Sequence, residues 1–119
     1  MKVSIRKTDK QFSEIMRKVR PYCEKCHRTT GLCVAHYHGR RKESVRFDPE
    51  NILILCFACH QYFHENPLEH SLFVVKKIGR KAFDRLTIRA NTPQKRDDVM
   101  QNLVNAQLIK SLDKLNNKE

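Results

Sequence analysis

Four of the five cysteines in this 119-residue chain fall into two Cys-x-x-Cys pairs, Cys23/Cys26 and Cys56/Cys59, with 29 residues between the pairs. Each such pair makes a tight turn offering two thiolates, and two turns brought together close a tetrahedral zinc site. The segment between them must therefore return the second turn to the first, which a hairpin does. A redox role fits less well, because the pairs come as a set and no βαβ pattern surrounds either. Cys33 stands alone on an apolar stretch and reads as core; His27, directly after Cys26, reads as a neighbour of the site or a solvent-facing residue. A chain this short buries a modest core, and zinc would supply the missing stability by tying the first turn to the end of the second strand.

The chain carries 24 Lys+Arg against 13 Asp+Glu, a net charge of +11. The excess is spread along it: 13 basic and 7 acidic residues lie in 1–66, and 11 and 6 in 67–119. A charge that belongs to the folded body points to a polyanion, nucleic acid first, since each neutralised phosphate releases condensed counterions. No apolar stretch approaches the roughly 20 residues of a membrane span. The opening "MKVSIRKTDKQF" lacks the apolar core of a secretion signal. The expected location is the cytoplasm, without a membrane partner, and there cysteines favour metal over disulfides.

Hydrophobic spacing orders the rest. Phe12, Ile15, Met16 and Val19 recur at helical intervals over 9–19, and Thr8 with Gln11 suggests a capping box. A strand is expected over 32–37, a basic polar loop over "GRRKESVRFDPE", a second strand at "NILIL" and a helix over 59–65. Asn66-Pro67-Leu68-Glu69 reads as a helix start, Gly79 as its end, and a further helix follows over 80–90. Thr92-Pro93 is expected to open a last helix, with Asp97 and Asp98 at its positive end. Along it Met100, Val104, Leu108, Leu112 and Leu115 form an apolar stripe. That stripe would pack on the 68–90 helices or pair with a second copy in a homodimer.

The histidines need a separate account. His36 and His38 lie two apart on the first strand and so share a face, while His60 and His64 lie four apart and share one face of a helix. Packing that helix across the hairpin gathers four imidazoles into a second site, made of nitrogen donors and distinct from the thiolate site.

Taken with Cys-x-x-Cys, the run "AHYHG", then Asn51, then "CFACHQYFH" resembles the HNH nucleases of the ββα-metal type that carry a cysteine zinc site. More narrowly, "AHYHGRRKESVRFDPENILILCFACHQYFHENP" followed by "VVKKIGRKAFDRL" is similar to NinG-like recombination endonucleases of phages and prophages. The resemblance covers about residues 22–90 and is strongest over 23–64. It implies an α+β fold: an N-terminal helix (1–21), a ββα-metal core (22–66) with its structural zinc on Cys23, Cys26, Cys56 and Cys59, and a helical extension (67–119). It implies DNA phosphodiester hydrolysis with a catalytic set of His36, Asn51 and His60.

In that reading His36 is the general base and Asn51 holds the loop and orients it. His60 and His64 hold a divalent cation: Mg²⁺ by availability, or Mn²⁺, Ni²⁺ or Zn²⁺ by affinity for imidazole. Many members place an acidic residue or a second histidine just before the base, where this chain has Ala35. Either His38 supplies the missing ligand or water does, and His38 as base with His36 as ligand is a third arrangement. Arg40, Arg41, Lys42 and Arg46 on the inter-strand loop would contact DNA phosphates.

Overall fold

The computed structural model describes residues 6–116, with side chains through residue 113. Helix α1 spans Lys7–Val19, strand β1 Leu32–His36 and strand β2 Ile52–Cys56. Helices α2 (Phe57–Glu65), α3 (Pro67–Ile78), α4 (Arg80–Ala90) and α5 (Asp98–Asn116) follow. Two 3-10 turns, Glu43–Val45 and Pro49–Asn51, shape the connection between the strands. The result is a small α+β fold around a two-stranded antiparallel sheet in which Ala35 faces Leu53 and His36 faces Ile52.

Both faces of that sheet are covered, which is why β2 is a continuous apolar run instead of an alternating one. Ile52 and Ile54 pack with Phe12 and Met16 of α1 on one face. Ala35, Leu53 and Leu55 pack with Phe63 of α2 and Val74 of α3 on the other. Every residue of β2 is buried, and each Ile or Leu there contributes about 1.5–3 kcal/mol of burial. A third cluster, Val45 with Leu86 and Ala90, fastens α4 to the inter-strand loop. Arg89 reinforces it, donating to Asp48 at 2.8 Å and to Glu50 at 2.8 Å.

The outer edge of β2 has polar partners of its own. Glu24 donates its backbone N–H to the Ile54 carbonyl at 2.8 Å. Its carboxylate accepts from the Ile54 N–H at 2.6 Å. The Ile52 carbonyl accepts from Arg20 at 3.4 Å and from Lys77 at 3.5 Å. Both of those cations also pair with Glu24.

Several helix ends differ from the sequence expectation. Helix α1 starts at Lys7 without a side-chain cap. Thr8 lies inside it, buried, and donates to Asp98 at 3.5 Å, so a tertiary contact takes the hydroxyl that a capping box would use. Pro67 opens α3 as expected, but the Asn66 amide donates to the Tyr62 carbonyl of α2 at 2.8 Å and does not cap α3. Gly79 ends α3 with φ of 87°, a conformation that a side chain would strain. Thr92-Pro93 does not open the last helix. Residues 93–97 have no regular structure, and the cap is the Asp97 carboxylate, which accepts from Met100 N at 2.9 Å.

Among the described residues helix α5 packs mainly on α1, and not on the 68–90 helices where its apolar stripe was expected. Helix α5 packs on α1 through a face centred on Asn105, which is fully buried; its amide donates to Thr8 O and Gln11 Oε1, each at 3.4 Å. Met100, Val104 and Leu108 are 57%, 42% and 38% exposed, while Leu112 is half-buried beside α1. Leu115 lies outside the described side chains. Among the described residues no helix is long and apolar enough to cross a membrane.

Candidate metal centre and histidine cleft

Cys23, Cys26, Cys56 and Cys59 come together with all four sulfurs within 4.8 Å of one another, and Cys26 and Cys56 are 3.6 Å apart. A zinc tetrahedron with bonds of about 2.3 Å has sulfur–sulfur edges of about 3.8 Å, so the cluster could hold such a metal. Its first half is a turn closed by His27 N–H donating to the Cys23 carbonyl at 2.8 Å. The Cys26 N–H points at the Cys23 sulfur at 3.4 Å. His27 takes φ of 67° to complete that turn, and its side chain is exposed.

In the second half Cys56 is at once the last residue of β2 and the N-cap of α2, with Cys59 in the first turn. Thiolates there meet the positive end of the helix. The Cys59 backbone N–H holds the Cys56 thiol below its ordinary value against the opposing effect of burial. Burial disfavours the Cys23 thiolate, yet N–H groups of Cys26, Cys56 and Lys25 together bring it down to about 6. Burial and the neighbouring sulfurs push Cys59 up to about 12. Four clustered thiols cannot all ionise without a cation to share, and a divalent metal removes that conflict.

The histidines meet in a separate cleft of about 430 Å³ where the end of the hairpin meets α2 and α3. His36, His38, His60 and His64 all line it, and so does His70. The ring of His36 is held by its Nε2–H, which donates to the Arg46 carbonyl at 2.8 Å and leaves the Nδ1 lone pair available. Burial lowers the pKa of His36, only partly offset by that bond.

The strand ends at His36, so the two-residue periodicity that would align His38 with it stops there. Asn51 sets the position of His38 instead. Its side chain accepts from His38 N at 2.8 Å and donates to the His38 and Val45 carbonyls, each at 3.0 Å. Asn51 thus ties the loop, while the Arg46 carbonyl orients His36. Removing these bonds by Asn51→Ala takes the side-chain partner from the His38 N–H and carbonyl and leaves the Val45 carbonyl with only the Asp48 N–H at 3.2 Å. At about 1 kcal/mol for each bond, the expected loss is about 3 kcal/mol in denaturant unfolding. A loss under about 1 kcal/mol would mean that the loop holds itself.

Two contributions escaped the sequence reading. Cys33 is not merely core: its thiol donates to the Leu55 carbonyl at 3.2 Å and its sulfur lies 3.3 Å from His60 Nδ1. A thiol proton committed to Leu55 makes Nδ1 the donor to the sulfur and places the acceptor lone pair of His60 on Nε2. Outer partners of this kind fix the tautomer of metal-binding histidines. His70 has no pattern in the sequence to mark it. It reaches the cleft from α3, stacked on Phe63 at 5.0 Å and edge-on to Tyr37 at 5.0 Å. Burial lowers its pKa, and the nearby His60 adds to the effect.

The loop cations divide into two groups. Arg40, Arg41 and Lys42 are exposed. Arg46 is not available as a phosphate contact in the way the sequence suggested, because its guanidinium binds both oxygens of Asp9 on α1 and donates to the Arg40 carbonyl at 2.9 Å. Ala35, where a further ligand would be sought, is 2% exposed and packed among apolar side chains. Among the described residues the four cysteines are the only group of three or more whose ligand atoms all lie within 4.8 Å of one another, so the imidazoles must turn inward to share an ion. No family model, curated protein or solved structure matches the chain.

Proposed function

We propose that this protein is a metal-dependent DNA endonuclease of the HNH type, similar to NinG-like phage recombination nucleases, with structural zinc on the four cysteines. The observation that carries this reading is the convergence of His36, His38, His60 and His64 on one cleft, beside the exposed Arg40, Arg41 and Lys42. The donors suit a divalent cation: His60 presents Nε2, and His38 has a buried Nε2 without a hydrogen-bond partner. When bound, that cation supplies positive charge to the pentacovalent phosphate and the departing 3′ oxygen.

The remaining work falls to the chain's own groups. His36 Nδ1 takes a proton from water as its oxygen attacks phosphorus; the bond to the 3′ oxygen breaks, leaving a 5′ phosphate and, after protonation from solvent, a 3′ hydroxyl. Cleavage of plasmid and branched DNA by the zinc-loaded protein, with a panel of added metals, tests the reading. Metal-dependent nicking that is lost in His60→Ala or His64→Ala and partly restored by excess metal is expected. Binding without cleavage under every metal would favour a second reading, a zinc-stabilised DNA-binding module, for which the buried methyl of Ala35 at a ligand position is the supporting feature.

The exposed loop cations serve as phosphate contacts. Replacing Arg40 and Arg41 with alanine should weaken DNA binding and reduce the salt slope by about 0.9 per lost contact; an unchanged slope would return the loop to ordinary solvated surface. A centre that cuts one strand gains from a second copy for the other, and the exposed face of Met100, Val104 and Leu108 suits such pairing. Sedimentation at tens of micromolar should then give twice the chain mass, and a monomer would remove the dimer from this reading.

A further inference from the structure

Two ring nitrogens in the cleft stand out. The Nε2 atoms of His38 and His70 are each buried, and neither has a hydrogen-bond partner. Buried polar atoms are nearly always paired, and an exception asks for an ion or a water that fills the gap. The two imidazoles flank a single ring: His38 lies edge-on to Tyr37 at 4.8 Å and His70 edge-on to it at 5.0 Å. Tyr37 itself is pinned to α3 by a 2.6 Å bond to Ser71, and Phe63 stacks on His70 from α2. His70 is therefore held by aromatic contacts and by no side-chain hydrogen bond, so its ring can turn onto a ligand without breaking one.

We propose that His70 is a metal ligand, joining His38 from the hairpin and His60 and His64 from α2 in an all-imidazole site that selects a first-row transition ion over Mg²⁺. The inference rests on the reading that the cleft holds a divalent cation, but not on any activity. Imidazole nitrogens suit Zn²⁺, Ni²⁺ and related ions, while Mg²⁺ seeks oxygen donors. The donor lost at Ala35 is in this way replaced from a helix outside the ββα unit.

Nitrogen-15 spectra of the histidine rings in the full chain, with the cysteine site already filled by zinc, give a direct readout. A second equivalent of Zn²⁺ is expected to shift the Nε2 signals of both His38 and His70 and to leave exposed His27 unmoved. Calorimetry with Ni²⁺ should show one further site, with affinity at least about tenfold weaker in His70→Gln and no comparable response to Mg²⁺. If His60 and His64 shift while His70 does not, His70 is a packing residue and the inference falls, with the nuclease reading intact. If the cleft imidazoles respond to Mg²⁺ alone the inference falls and the nuclease reading stands; if none responds to Zn²⁺, Ni²⁺, Mn²⁺ or Mg²⁺, the cleft holds no divalent cation and both fall together. The spectra of the unaltered chain decide the matter even if His70→Gln fails to fold.

Discussion

Cys56→Ser is expected to abolish folding, not merely to lower activity. Cys56 joins three structures at once: it ends β2, occupies the N-cap position of α2 and places its sulfur 3.6 Å from that of Cys26. A serine hydroxyl can still cap the helix, but it is a poor replacement for a thiolate on zinc, whose binding contributes of order 10 kcal/mol or more in small zinc domains. That exceeds the 5–15 kcal/mol net stability of most domains at its lower end, so the apolar sheet cannot compensate. Protein purified without chelator should contain one zinc per chain, and the variant should contain none and lose its far-ultraviolet helical signal. Cys33→Ser, which leaves the four-cysteine cluster intact, should retain the zinc. A purified chain without zinc, or a folded Cys56→Ser with an unchanged melting curve, would remove the metal from the account of stability.

The second large effect concerns His36. Replacing it with alanine should lower DNA cleavage by about 10²–10⁴-fold, the usual contribution of a positioned general base, with DNA binding nearly unchanged. The pH dependence carries a sign that can be checked. Burial lowers the folded pKa of His36, so the neutral form survives to lower pH than in a free imidazole. The acid limb of the rate should therefore fall below about pH 6.5, and should disappear from whatever residual activity His36→Ala retains. A variant that cleaves at nearly the native rate would transfer the role of base to His38.

Legibility in the sequence followed how local each cause is. The cysteine spacing specified its cluster because each turn is local and a hairpin has few ways to rejoin them. Strands and most helices are visible to within a few residues, since β2 is a continuous apolar run and α3 is bracketed by Pro67 and Gly79, but the last helix starts at Asp98 and not at Thr92-Pro93. What was hidden depends on partners far along the chain. Arg46 looks like a phosphate contact until Asp9, 37 residues away, takes its guanidinium. Thr8 looks like a cap until Asp98 accepts from it. On α5 the four-residue apolar repeat outweighed Asn105 in the sequence, yet Asn105 found an amide-sized seat on α1. His70 has no periodic companion; only the packing of α3 on α2 carries it to the other imidazoles.

The side chains along β2 also decide how this small sheet behaves toward other chains. An exposed strand edge is a row of vacant donors and acceptors that any extended peptide can copy, and short sheets are prone to growth by that route. Here Glu24 mimics a neighbouring strand at Ile54, offering both a donor and an acceptor. Arg20 and Lys77 occupy the carbonyl at Ile52. The turn that holds Cys23 and Cys26 thus doubles as an edge guard, so in the proposed zinc-loaded protein stripping the metal would do more than loosen the fold. It would uncover a template, and the chelated protein should be lost to aggregates built by strand addition, at a rate that rises with protein concentration.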